Sequence, residues 1–474
     1  MIFNNLNQTD NKDFFAIIVG SGPAGISIAL ELEKKKIYSL IIESGELENN
    51  SISEKYLKSE SIGDHDGDYA SNRMRMFGGT TSVWGGNCNP MNKSDFYDWP
   101  IEKYELDKYT RRASEILNLK KKFVSQKFNE NLNMYNLVWS NIRINEDYLD
   151  HIKVSKYISL SLSTSFFNLN YTNKKISSIE CISKNKKYTL RSDFYILACG
   201  GIENSRLLLW LKSKNKELFN SEIPIGKYYM HHPYHKVGNG IINYKKLKNY
   251  FSKNNNTYIP LVTCDSNIYL EANDDFISSN NILNSGMYLS FNNINIKNDL
   301  FKQLRCVAPK FIKNIYDDVK TGKMYEISIN TLQEQEPIIE NKIILGDKLD
   351  PLGIPLTKIF WKKISSEKKS ARIILEEIAK LLINEEIGRL AVEDYLYNEN
   401  TNYEVVSGNH QMGGTRMGLS VKDSVVDKDL KVHDIENLYI AGSSVFRTSG
   451  HCHPTFTIVQ LSIRLAEHII SIKS

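Results

Sequence analysis

The chain has 474 residues, more than one hydrophobic core usually organises, so two units, one interleaved with the other, are expected. Its 60 Lys and Arg against 55 Asp and Glu leave +5 with both signs scattered, and the lysine runs 120–122, 184–187 and 245–248 carry no interleaved aromatics, so nothing demands a nucleic-acid partner. The six cysteines, Cys88, Cys181, Cys199, Cys264, Cys306 and Cys452, contain no C-x-x-C pair, which excludes a zinc ribbon and disfavours a disulfide framework; with no signal-peptide pattern and no run of about 18 apolar residues, a soluble, cytoplasmic protein without a transmembrane segment is expected.

In chain order, 14–20 (FFAIIVG) is an unbroken apolar run of strand length, 24–35 shows helical apolar spacing through Leu30 and Leu32, and 38–43 (YSLIIE) predicts a second strand. This is the βαβ unit of a parallel sheet, whose strands are buried on both faces. Segments 187–199 and 437–441 (NLYIA) predict further strands, each running into glycine, and a last helix is expected from Pro454 to Ile470, opened by a proline where a missing N–H costs nothing. Between them, 236–330 is rich in Asn, Lys and Tyr with short β-like runs, and 367–396 has helical periodicity (Ile373, Leu375, Ile378, Leu381, Leu382). The polar tracts 254–257 and 279–298 predict loops without an assigned role.

Gly20-Ser-Gly22-Pro23-Ala24-Gly25 satisfies G-x-G-x-x-G with a strand before it and a helix after it, the context that gives this motif meaning. Gly20 permits the turn, Gly22 lets backbone approach a pyrophosphate, and Gly25 lets helix and strand pack, with Glu43 at the next strand end for ribose hydroxyls. NAD and FAD stay open on this segment alone. Residues 64–68 (DHDGD) open like a calcium loop, but Tyr69 stands where that loop needs glycine and Arg75 where it needs glutamate. No G-x-S-x-G elbow occurs in a strand-to-helix setting, which disfavours a hydrolase.

Several blocks in the right order resemble the glucose–methanol–choline (GMC) oxidoreductases, in particular the sugar- and polyol-acting branch. They are Arg75-Met-Phe-Gly78-Gly79-Thr80-Thr81-Ser-Val83-Trp84-Gly85-Gly86; Ala198-Cys-Gly200-Gly201 with Glu203-Asn204; Gly226 to His231-His232-Pro233; Glu334-Gln335-Glu336-Pro337 with Asn341-Lys342 and Asp350 to Pro355; Gly408-Asn-His410-Gln-Met-Gly-Gly-Thr-Arg-Met-Gly418; Ala441-Gly442-Ser443; and Thr448-Ser-Gly-His451-Cys452-His453-Pro454-Thr455. The resemblance implies an α/β fold, an FAD-binding Rossmann-like (GMC-type) domain with an inserted α+β substrate domain: 12–235 and 425–474 for FAD, with 100–150 a candidate contribution to the substrate side, and 236–424 for substrate. It implies FAD held by Gly20, Gly22, Pro23, Ala24, Gly25, Glu43, Ser44, Arg75, Gly78, Gly79, Thr80, Thr81, Trp84, Gly85, Ala198, Gly200, Gly442, Ser443, Pro454 and Thr455. Where several relatives carry a flavin-linked histidine this chain has Val83, so non-covalent FAD is expected.

The implied activity is oxidation of an alcohol on a small molecule, a sugar or polyol, to a carbonyl by hydride transfer to flavin N5, with the electron acceptor (oxygen, quinone or redox protein) unspecified. Two imidazoles suit this chemistry at neutral pH; the resemblance assigns His410 as base and His453 as its hydrogen-bonding partner, although the sugar-acting branch often has asparagine at the second position, which leaves the division of labour open. A lyase on the same scaffold and a non-catalytic flavoprotein are the alternatives. His231, His232 and His235 are assigned a structural or surface role, His451 and Cys452 no metal because neighbouring residues rarely aim at one centre, and His65, His151, His433 and His468 no role.

Overall fold

Strands with every residue buried form the centre of the molecule. The computed structural model describes residues 2–3, 6, 13–64, 69–253, 267–294, 313, 319, 323–398 and 401–473. His65, Cys264, Cys306, the tract 254–257, residues 65–68 of the calcium-like segment and 295–298 of the Asn-rich stretch lie outside these described residues, and within that stretch Ser285–Asn292 is a paired strand where a loop was expected.

Six strands lie in the order Ile2–Phe3, Ile158–Ser161, Ser39–Ile42, Ala16–Val19, Phe194–Leu197 and Leu438–Ile440, and all their pairings are parallel. All residues of the last five are buried, the burial on two faces that explains their unbroken apolarity. The helix Pro23–Lys34 buries Ala24, Ile26, Ile28, Ala29, Leu30 and Leu32 and ends at Lys35, with Lys36 at φ 58°. The C-terminal helix Pro454–Lys473 packs against it.

A second, antiparallel sheet runs Gly388–Val392, Pro233–Asn243, Met324–Gln333, Ser285–Asn292, Asn267–Ala272, Leu132–Tyr135 and Ser125–Lys127, with Val406–Ser407 pairing on Pro233–Tyr234. The helix Ser365–Asn384 covers it, burying Ala371, Ile374, Leu375, Ile378, Leu381 and Leu382. The helix expected over 367–396 is therefore too long. Glu386 turns the chain at φ 54°, and Gly388–Val392 returns as a strand beside Pro233–Asn243; its alternating half-buried and exposed residues are a period of two that the helical pattern upstream had masked.

Two small sheets complete the fold: the meander Thr164–Thr172, Lys175–Ser183 and Lys186–Leu190, and Lys342–Leu349 with Pro355–Trp361, the latter pairing in parallel with Ser59–Gly63. Among the described residues no helix is long and apolar enough to cross a membrane.

Candidate active site

A cavity of about 830 Å³ runs from the glycine turn, along the C-terminal ends of the parallel strands, to the antiparallel sheet. Each glycine of the turn is required for a different reason. Gly20 has φ 106°, and a Cβ there would lie 2.5 Å from the Ala198 carbonyl of the neighbouring strand. A Cβ on Gly25 would lie 2.1 Å from the Gly20 carbonyl, whereas one on Gly22 would meet nothing within 4 Å. Gly22 thus borders open space at the N-terminus of the helix Pro23–Lys34, where free N–H groups and the helix dipole favour an anion. Glu43, almost fully buried, accepts from Ser21 N (3.1 Å) and Ser21 Oγ (2.7 Å) through Oε2 and from Gly45 N (2.8 Å) through Oε1. Oε2 is filled by its two donors, whereas Oε1, which Ser44 Oγ approaches only at 3.5 Å, keeps acceptor capacity for a hydroxyl donor.

Of the residues expected to hold the cofactor, Gly20, Gly22, Pro23, Ala24, Glu43, Ser44, Arg75, Gly79, Thr80, Thr81, Trp84, Gly85, Ala198, Gly200, Gly442, Ser443, Pro454 and Thr455 line the cavity. Gly25 and Gly78 do not. Gly25 is consumed by helix–strand packing, and Gly78, at φ 87°, donates its N–H to Ser21 Oγ at 3.2 Å and sits against Asn145 N, so it docks one loop on another. Gly79 then comes within 3.3 Å of the Gly22 Cα, measured from its own would-be Cβ, and brings Thr80 to Gly85 across the cavity. Arg75 stacks over Tyr56 at 3.9 Å. Asn204 ties the strand ends together: its Oδ1 accepts from Cys199 N (2.9 Å), and its Nδ2 donates to Ala441 O and Ser444 Oγ (both 3.0 Å).

His410 reaches the cavity because the loop after it is zipped onto the helical turn Ser443–Val445 that follows the last parallel strand. Gly413 N, Thr415 N and Met417 N donate to Ser443 O, Ser444 O and Val445 O, and Ser443 Oγ donates to Gln411 O at 2.6 Å. His453 precedes Pro454 at the start of the C-terminal helix. Its backbone N–H and its Nδ1 both point at Asn89 Oδ1, at 3.1 and 3.2 Å, so Nδ1 carries the proton. The two rings meet edge to face with centroids 5.1 Å apart on the cavity wall. Burial holds the pKa of His410 well below the usual 6.5 and lowers that of His453 to about 4, with neighbouring histidines adding to both shifts; both rings are therefore neutral and able to accept a proton at pH 7.

Two expectations need correction. The hydrogen-bond partner of His410 is His232, with Nδ1 to Nδ1 at 2.9 Å, while His453 engages Asn89. And of the structural or surface role expected for His231, His232 and His235, the surface alternative falls: all are buried, His231 among Tyr69, Tyr229 and Trp361, and His235 between Tyr395 Oη (2.6 Å) and Gln333 Oε1 (3.3 Å). The sequence signal available was Pro233 itself, which starts the strand Pro233–Asn243 and so fixes the preceding histidine at a sheet end.

Asp95 joins His451 and Cys452 in one buried cluster, their ligand atoms within 4.8 Å of one another. Its groups are taken by protein partners: Cys452 Sγ by Pro90 O (3.1 Å), His451 Nε2 by Glu271 Oε2 (3.1 Å), and the Asp95 carboxylate by Asn92 N (2.7 Å) and Asn284 Nδ2 (3.0 Å). Beside the two cavity histidines, the antiparallel sheet contributes Tyr234, Asn267, Tyr269, Tyr288 and Ser290 to the lining, a neutral and largely aromatic wall. Apart from Arg75, which donates to Ser165 Oγ at 3.3 Å, the charged lining residues are tied to one another or to the turn: Arg206 to Asp350 (2.6 Å) and Glu203 (2.8 Å), Arg73 to Glu203 (3.9 Å), and Glu43 to Ser21.

A glycine turn of the dinucleotide-binding kind on a parallel sheet shares one cavity with a histidine pair at its far end, the arrangement of an α/β dinucleotide-binding fold. Residues 337–462 match the family model for the GMC oxidoreductases. The fructose dehydrogenase large subunit of Gluconobacter japonicus is 32% identical over 163 residues, 34% of this chain and 28% of that protein. The 2-methyl-1,2-propanediol dehydrogenase of Mycolicibacterium austroafricanum is 24% identical over 292 residues, 60% of this chain and 49% of that one, so the chain spans half or less of the length of these curated relatives. Among solved structures, pyridoxine 4-oxidase from Mesorbium loti superposes with a TM-score of 0.58 at 13% identity, covering 96% of this chain and 99% of the other, and Aspergillus oryzae RIB40 formate oxidase with 0.56 at 15%, covering 98% and 99%. Residues 337–462 are thus similar to the GMC oxidoreductases, and the cofactor that the resemblance implies is FAD. The open space at Gly22 and the length of the cavity fit that group.

Proposed function

We propose that the protein oxidises an alcohol on a sugar or polyol to a carbonyl, with His410 as the base and His453 as the second polar contact to the carbinol. The observation that carries this reading is the pair of neutral imidazoles facing each other across 5.1 Å on the wall of the cavity that also opens onto the glycine turn. When bound, FAD supplies the hydride acceptor. His410 Nε2 takes the hydroxyl proton as the carbonyl forms, and His453, held by Asn89, orients the carbinol oxygen through its own Nε2. Tyr234, Tyr269 and Tyr288 present ring faces and hydroxyls suited to the C–H faces and hydroxyls of an uncharged polyol. Pro23, Ala24 and the Thr80 to Gly85 loop hold the cofactor without a covalent bond, since Val83 offers no nucleophile.

The test is anaerobic mixing of the holoenzyme with a panel of sugars and polyols. Bleaching of the flavin absorbance by at least one, and a loss of kcat by about 10²- to 10⁴-fold in His410→Ala, are expected. Absence of bleaching across the panel would refute the reading, and product formed while the flavin stays oxidised would turn it towards a lyase. Peroxide release under air then separates an oxidase from a dehydrogenase.

A further inference from the structure

We propose that His232 is a positioning residue that holds His410 as the Nδ1–H tautomer, so that the bare Nε2 faces the cavity. The inference rests on the reading of His410 as base but is built from contacts that no other part of that reading uses. His232 Nε2 lies 3.2 Å from the carbonyl oxygen of Ser449, and a carbonyl only accepts, so the proton is on Nε2. A neutral ring has one N–H, which leaves His232 Nδ1 as an acceptor. The contact between the two Nδ1 atoms, 2.9 Å long with the rings nearly perpendicular at 87°, needs one proton, and it must come from His410. His232 is fully buried, and burial takes its pKa down to about 3, which keeps it in the one-proton form this geometry requires. The remaining His410 nitrogen, Nε2, is then unprotonated, and no hydrogen-bond partner for it occurs among the described residues.

Both ends of the relay are fixed by Gln335, which is fully buried. Its backbone N–H donates to Ser449 Oγ at 2.9 Å, and its Oε1 accepts from His231 N at 2.9 Å and Trp361 Nε1 at 2.7 Å. Ser449 and the backbone before His232 are thereby held on one residue, the first by its main chain and the second by its side chain. The order Ser449 C=O, His232, His410 has the logic of a catalytic triad, in which a buried acceptor sets the tautomer of the base without itself taking the proton. Here the acceptor is an imidazole and the element that orients it is a main-chain carbonyl.

The tautomer can be read directly, without substrate, by ¹⁵N NMR of histidine-labelled holoenzyme, with the His410 signals assigned from a His410→Gln sample. The wild type is expected to show His410 with a protonated Nδ1 and a bare Nε2. His232→Leu, which fills the site but accepts nothing, is expected to lose that fixed state and to lower kcat on the order of 10²-fold or more, with KM and flavin content within about twofold. His232→Asn, whose Oδ1 can take the place of Nδ1 as acceptor, is expected to restore the tautomer and most of the lost kcat. A wild-type His410 protonated on Nε2 overturns the proposal, as does a folded, flavin-loaded His232→Leu that keeps wild-type kcat, or one that loses activity with the His410 tautomer unchanged. Should His232→Leu fail to fold, the wild-type spectrum and His232→Asn still decide. Because the spectrum needs no turnover, it stands apart from the failure of every alcohol to reduce the flavin, which would refute the assigned activity alone.

Discussion

Gly22→Ala and Gly25→Ala place one methyl on either side of the same helical turn, and the structure assigns them opposite consequences. At Gly22 the backbone is extended (φ −69°, ψ −172°) and the new Cβ meets nothing within 4 Å. Alanine at a helix N-cap costs about 1 kcal/mol or less relative to glycine, and the lower entropy of the unfolded chain offsets about 0.4–1 kcal/mol of it. The melting temperature of the apoprotein should therefore move by about 2 °C or less. The methyl does stand where the diphosphate approaches, and losing one or two charge-assisted hydrogen bonds at about 1.5–3 kcal/mol each weakens FAD binding by at least about tenfold. At Gly25 the Cβ would lie 2.1 Å from the Gly20 carbonyl and 3.1 Å from Ile18 Cγ2 in a fully buried setting. Helix and strand must separate by more than about 1 Å to reach contact distance, at roughly 3 kcal/mol or more. The assays are thermal unfolding of the two apoproteins and flavin titration by fluorescence quenching. A Gly22→Ala protein that melts normally and binds FAD as tightly as wild type would refute the placement of the diphosphate at this turn.

Asp350→Ala should destabilise the fold by about 3 kcal/mol in denaturant titrations, because it strips Arg206, 4% exposed, of its 2.6 Å partner and leaves Glu203 to balance a buried guanidinium; Asp350→Asn should cost less. Stability of the apoprotein should peak near pH 6.5. Burial lowers His232 to about 3 and His235 and His453 to about 4, from 6.5, so the stability they contribute is present above pH 6.5 and is lost as the pH falls towards 4. Burial raises Glu334 and Glu367 from 4.5 to about 8, so their contribution is full below pH 4.5 and is lost as the pH rises through 8. Each group contributes a slope of at most about 1.4 kcal/mol per pH unit within its window, so the three histidines outweigh the two carboxyls on the acid side. A melting temperature that does not change between about pH 5 and pH 8 would contradict these assignments.

The parallel sheet was legible because strands buried on both faces have a local signature: 16–19, 39–42 and 438–440 are short, unbroken and bounded by glycine or a turn. The same holds for the start of the helix at Pro23. The strand Gly388–Val392 was not, because it follows a helix directly and its five residues alternate too briefly to stand out from the periodicity before them. Gly25 and Gly78 match the expected motifs, but a motif cannot tell a glycine that faces a ligand from one that faces another backbone; only the position of the would-be Cβ does. His410 and His453 were found through their flanking blocks. His232 was not, because its relation to His410 spans 178 residues and depends on a tautomer, a property of the hydrogen-bonded pair rather than of either residue.

That relation shows how the two sheets share one site. His453 precedes a helix packed on the parallel side, and His232 immediately precedes the strand Pro233–Asn243 of the antiparallel side. His410 lies on the segment between them, pinned by Gln411 to Gly418 to the strand ends of the first and by its own Nδ1 to the second. A change that shifts the antiparallel sheet, even one far from the cavity, therefore moves His232 and Gln335, with the Ser449 bonded to Gln335, relative to His410. Orientation of His410, the proposed base, is the property most sensitive to such a shift, since a hydrogen bond of 2.9 Å between perpendicular rings loses strength steeply with angle. Substrate-side variants that leave FAD bound should for this reason lower kcat through His410 more than they raise KM.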